Sequence, residues 1–145
     1  MASVIRTKRL SLPARPEDGL RLFIARYRPR GVALGTEDWH AWEKRLAPSA
    51  ELLDAFHGKQ RAGRRLVGKV AQLEWPEYRR RFLDEMGAPA AQAALDEIAR
   101  WSADGKVVTL LCYCEEEERC HRSLVRDLLA ARELRPGGPP APPPP

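Results

Sequence analysis

The segment Val107-Val108-Thr109-Leu110-Leu111-Cys112 constrains the fold more than any other part of the chain. It carries no charge and only Thr109 is polar, so it reads as a strand covered on both faces at the centre of a sheet. Parallel neighbours of such a strand are reached through crossover connections, usually helices. The flanking sequence agrees. Ala91, Leu95, Ile98 and Trp101 form the apolar face of a helix before it, with Gly105 as its stop. A further helix, from about Cys120 to Leu134, follows it with Leu124, Val125, Leu128 and Leu129 turned inward.

Val4 to Leu10 is short, β-branched at its start and roughly alternating, a first strand. Beyond a turn region at Pro13, Pro16 and Asp18-Gly19, the stretch Leu20 to Tyr27 is extended again. Leu22 and Ile24 lie on one of its faces and Phe23 and Ala25 on the other, which marks a central strand. Arg28-Pro29-Arg30-Gly31 ends it, because proline lacks an amide donor and glycine permits a sharp turn. Thr36 is placed to cap a helix running to about Leu46, with Glu37 and Asp38 at its positive end. Pro48-Ser49 stops that helix and caps another, which ends near His57 with Gly58 as terminator. Lys59 to Lys69 reads as a solvated basic loop, with an anion-binding arm as the alternative. Pro76 suits the first position of a helix whose Tyr78, Phe82 and Met86 make a buried stripe closed by Gly87.

Strands separated by helices define an α/β protein, a single domain with a mostly parallel central sheet flanked by helices. The expected domain runs over residues 4–134, and the Pro/Gly-rich tail 135–145 has nothing to bury and is expected to be disordered.

Composition narrows the setting. A chain of 145 residues that is 43% hydrophobic and 31% charged is an ordinary water-soluble globule. No apolar run approaches the roughly 20 residues of a membrane span, so no membrane partner is expected. The N-terminal residues lack the basic-then-apolar layout of an export signal. Three cysteines within residues 112–120 are an odd number, which suits a thiol or metal site in a reducing cytoplasm better than a disulfide scaffold. The net charge of +5 admits anionic partners, including nucleic acid, but is well short of a dedicated binder.

In parallel sheets, sites form where strand ends lead into helix N-termini. Cys112-Tyr113-Cys114 lies at such an end and Cys120-His121-Arg122 near the following helix start, so the two halves converge across the acidic loop Glu115 to Glu118. Cys112 and Cys114 share a side of an extended segment. A helix N-terminus favours the Cys120 thiolate, His121 is a proton carrier and Arg122 a fixed positive charge, which is material for nucleophilic or redox thiol chemistry. The same atoms make a metal set: Cys112, Cys114, Cys120 and His121 offer three sulfurs and a nitrogen for zinc or iron. Buried structural cysteines are the third alternative. A phosphate loop is excluded, since consecutive glutamates repel phosphate and no glycine-rich turn presents amides.

Arg26, Arg28 and Arg30, after the second strand, form a second candidate, for a small carboxylate- or phosphate-bearing ligand, with a basic turn facing water as the alternative. His57 reads as a cation at a helix C-terminus, and His40, between Trp39 and Trp42, as a surface or packing residue.

The segments Ile5 to Arg9, Ala25 to Gly31, Leu46 to Gly58, Tyr78 to Met86 and Leu110 to Arg122 together resemble the bacterial and archaeal domain-of-unknown-function family 488. The likeness runs from about Ile5 to Leu134. Members often carry aspartate and tryptophan where this chain has Ala25 and Arg28, and the basic stretch Lys59 to Leu73 is longer here. The resemblance implies a compact α/β fold with the arginine turn near the cysteine–histidine loop, and no particular reaction.

The leading expectation is therefore a small enzyme using Cys112, Cys114 or Cys120, with His121 as acid/base and Arg122 or Arg30 holding an anion. The alternatives are a metal-binding structural or regulatory module and a nucleic-acid accessory protein using the basic stretch and Arg79-Arg80-Arg81.

Overall fold

The structure is a computed structural model that describes residues 5–114 and 116–133. Val4 and the tail from 134 onward lie outside the described residues. Ten regular elements follow one another: β1 (Ile5–Arg9), β2 (Leu20–Phe23), β3 (Ala41–Trp42), α1 (Ala50–His57), β4 (Lys59–Ala62), β5 (Arg65–Lys69), α2 (Trp75–Glu85), α3 (Pro89–Ala103), β6 (Val108–Cys112) and α4 (His121–Glu133). Short 3-10 turns cover Pro16–Asp18, Lys44–Leu46 and Glu117–Arg119.

Four strands form a wholly parallel sheet in the order β1-β6-β2-β3. The uncharged strand β6 sits inside it, with every residue buried, as its sequence requires. Register puts Leu110 beside Thr7 on one flank and Leu22 on the other. Leu22 and Ile24 join Leu110, Phe82, Leu95, Ile98, Val125 and Leu129 in the larger core. Phe23 and Ala25 join Leu111 in a smaller one, with Trp39 and Trp42 packed over it. Burial on both faces of β2 is as expected of a central strand, and fully burying a leucine or phenylalanine side chain stabilises by about 2 kcal/mol. The fold is a single α/β domain, its parallel sheet flanked by helices.

Helix starts and stops follow local chemistry. Ser49 accepts the amide of Leu52, and Gly58 ends α1 in the left-handed region at φ 71°. Pro76 stands one position deeper than expected, because α2 begins at Trp75.

Three expectations are corrected. The helix from Thr36 to Leu46 is absent: that segment is irregular until β3, followed by the 3-10 turn at Lys44–Leu46. The His40 amide donates to the Arg21 carbonyl and its Nδ1 accepts the Arg21 amide, while Trp39 stacks on Phe23 at 4.6 Å. Edge pairing to β2 and aromatic burial outweigh the weak local preference for helix. The strand from Leu20 is assigned only to Phe23, although the Ile24 amide still reaches Leu111 O. The basic stretch is an antiparallel hairpin, β4–β5, rather than a loop.

Asp18 anchors the turn that leads into the amino end of β2. It accepts the Arg15 amide, Lys8 Nζ and Arg21 Nη1, and Arg21 is itself buried. Burial pushes its pKa up, but these donors outweigh that and hold the carboxyl below its ordinary value.

Candidate thiol–imidazole site

β6 delivers Cys112 to its carboxyl end, and the chain returns through the 3-10 turn at Glu117–Arg119 to Cys120 and the first turn of α4. Cys112 and Cys114 lie on one side, their sulfurs 3.5 Å apart. Cys120 Sγ stands 3.8 Å from His121 Nδ1. One sulfur each from Cys112 and Cys120 and one ring nitrogen of His121 lie within 4.8 Å of one another. The halves of the cluster therefore meet, as the strand-to-helix reading requires.

His121 is oriented from behind. Its Nε2 is 2.7 Å from the Ile24 carbonyl, which can only accept, so that nitrogen carries the proton. Nδ1 is left with its lone pair on the Cys120 side. Burial lowers the pKa of His121, against the pull of that hydrogen bond, so the ring is neutral. The edge of Phe82 closes on it at 5.5 Å between ring centroids.

Arg122 lies beneath the sulfurs, 2% exposed. Its Nη1 donates to Cys114 O at 2.9 Å and Cys120 Sγ at 3.4 Å, and its Nε finds no acceptor among the described residues. A guanidinium buried without a carboxylate needs another anion, and sulfur is what it touches. Thiol hydrogen bonds from Cys112 and Cys120, aided by the Arg122 charge, pull the Cys114 thiol below its ordinary value against its burial. Hydrogen bonding to Cys114 and Cys120 and then burial push Cys112 up. For Cys120 the bond with Cys112 works downward, but the bond with Cys114 and burial prevail and push it up to about 12. Of the three thiols, Cys114 has the surroundings that most favour a thiolate beside the buried guanidinium.

The cluster opens into a pocket of about 50 Å³ that Ala25, Arg26, His57, Tyr78, Cys114 and Arg119 help to line. That volume suits an ion, a water or the small end of a substrate rather than a whole organic molecule. Of the three turn arginines only Arg26 borders it, tied through Nε to Pro48 O at 2.8 Å. Arg28 is paired with Glu37 at 3.1 Å, and Arg30 is exposed away from the lining.

Three pocket residues had other readings or none in the sequence. Tyr78 is core at its base but reaches the pocket, and burial pushes its hydroxyl pKa up. His57 is the last residue of α1, as expected, and it also borders the pocket, where desolvation, then Lys59, lower its pKa. Gly58 was its clue, since a helix terminator fixes where the preceding side chain can go. Arg119 gave no signal. In the acidic loop, Glu117 is occupied by Thr7 and by Arg126 at 2.7 Å, while Glu115 lies outside the described residues.

A parallel sheet flanked by helices, with thiols and an imidazole gathered at a strand-to-helix junction, defines a small α/β domain. Residues 5–133 match the family described as the Active DUF488-N3 subclade, and the chain belongs to that family. Over 55 residues it is 40% identical to the uncharacterized protein YeaO of Escherichia coli (strain K12), a match covering 38% of this chain. The chain spans about half the length of that curated relative, 48%. No solved structure matches. Among the described residues no helix is long and apolar enough to cross a membrane.

Proposed function

We propose that this chain is a small metal-dependent enzyme whose ion, zinc or iron, is held by Cys112, Cys120 and His121. The observation that carries the reading is the convergence of those three donor atoms within 4.8 Å at the foot of a pocket. Two thiolates and an imidazole are a set that zinc enzymes use with the fourth position open. Thiolate ligands select zinc or iron over the harder magnesium and calcium. The bond from His121 Nε2 to Ile24 O is the kind of outer support that fixes a metal-bound imidazole. With Cys114 also ionised, three thiolates around a divalent ion leave one negative charge, which Arg122 offsets.

When bound, such an ion polarises a substrate oxygen or lowers the pKa of a bound water. Arg26 and Arg119 at the rim favour a small anionic substrate end, and Tyr78 and His57 offer hydrogen-bonding groups beside it. The description of the family as an active subclade supports catalysis over a purely structural role. A cluster of reduced cysteines fits the cytoplasm.

A second reading uses the same atoms without metal. Cys120 Sγ at 3.8 Å from an oriented Nδ1 is a nucleophile-and-base pair, with Arg122 as the fixed charge beside it.

Thermal melting with and without a strong chelator, under reducing conditions, tests the proposal, because metal affinity is folding free energy. A fall in Tm that zinc or iron reverses is expected. A Tm indifferent to the chelator overturns the metal reading and leaves the thiol pair.

A further inference from the structure

The β4–β5 hairpin is the element that packing explains least. Every residue from Lys59 to Lys69 is exposed except Gly68. A two-stranded ribbon alone in water is marginal at best. Its own charges oppose it, since Lys59 stands directly opposite Lys69 in the ladder. Between Lys59 and Leu73 the sequence holds five cations and no acid. Arg61 is paired with Asp54 at 2.8 Å, while Lys59, Arg64, Arg65 and Lys69 have no ion pair among the described residues.

The distribution of these charges points to the kind of anion. Strand alternation and the register put Lys59, Lys69, Arg61 and Leu66 on one face and Arg65 on the other, with Arg64 at the turn. Membrane-surface elements instead separate a basic face from an apolar one. Cations on both faces and at the tip suit a groove with phosphates on both walls. The major groove of B-form DNA, about 12 Å wide, admits a two-stranded ribbon, whereas that of A-form RNA is too narrow. The half-exposed Leu66 and Val67 would then meet base edges. The run Arg79–Arg81 is a poorer candidate, because Glu77 and Asp84 occupy Arg80, and Glu77 reaches Arg81.

We infer that the β4–β5 hairpin is an arm that docks double-stranded DNA through Lys59, Arg64, Arg65 and Lys69. This does not depend on what the thiol cluster binds.

Fluorescence anisotropy of the full chain with a labelled mixed-sequence DNA duplex provides the test. Four phosphate contacts predict roughly 100-fold weaker binding at about 200 mM than at about 50 mM salt. Replacing all four (K59Q, R64Q, R65Q and K69Q) should abolish binding while the circular dichroism spectrum is retained. Arg79→Gln should leave affinity unchanged. Absence of duplex binding at the lower salt overturns the inference, as does undiminished binding by the fourfold variant. Capture by phosphatidylserine vesicles but not by DNA also overturns it, in favour of a membrane surface.

Discussion

His121 Nε2 lies 2.7 Å from the carbonyl of Ile24, 97 residues earlier in the chain. One hydrogen bond thus joins the end of β2 to the start of α4 and turns Nδ1 toward Cys120. The expected consequence is a single neutral tautomer with its proton on Nε2. Long-range nitrogen–proton correlation spectra should show that form, and a proton on Nδ1 would contradict the orientation on which the site depends.

Arg122 should be indispensable to the fold as well as to the site. Arg122→Met removes the buried positive charge that touches Cys120 Sγ, and by analogy with broken buried ion pairs the loss is about 3 kcal/mol. Urea denaturation measures it. Arg122→Lys should recover part of the loss, since the bonds to Cys114 O and Cys120 Sγ both come from the single nitrogen Nη1 and an ammonium keeps a charged donor. A loss below about 0.5 kcal/mol would mean that the guanidinium balances no charge there.

Asp18 gives the acid limb of the stability curve. Its pKa in the folded chain lies below the ordinary 3.8, so its contribution is complete above that value and is lost as pH falls through the folded pKa. At neutral pH Asp18→Asn leaves buried Arg21 with only the more exposed Asp38 carboxylate at 3.4 Å, at a cost of about 2 kcal/mol. Tm followed from neutral to acid pH should show the wild type converging on the variant. Parallel curves would rule out the shift.

Gly58 should resist substitution where Gly63 does not. Both have positive φ, but a Cβ at Gly58 would lie 2.6 Å from Val70 O, while nothing lies within 4 Å at Gly63. Gly58→Ala should destabilise by about 2 kcal/mol or more, and Gly63→Asn by less than about 1 kcal/mol. Equal melting temperatures for the two variants would contradict the close approach.

The sequence was most legible where one periodicity governed a whole element. Leu22 and Ile24 against Phe23 and Ala25 gave both faces of β2, and alternation placed Cys112 and Cys114 together. Ser49 and Gly58 bracketed α1 through local hydrogen bonding alone. Between Thr36 and Leu46 local signals misled, because the deciding partners, Arg21 and Phe23, lie outside that stretch. The hairpin was hidden for a similar reason: its charges imitate a loop, and only the pairing of Lys59 with Lys69 reveals a ladder. At the site, the cysteines and histidine announced themselves by type and spacing. The orienting carbonyl of Ile24 had no side-chain signature to read.

The most direct test is the metal content, by elemental analysis, of the chain purified under reducing conditions without added metal, beside Cys120→Ser and His121→Gln. The account predicts about one zinc or iron per wild-type chain and its loss in both variants. A folded wild-type protein free of metal would contradict it.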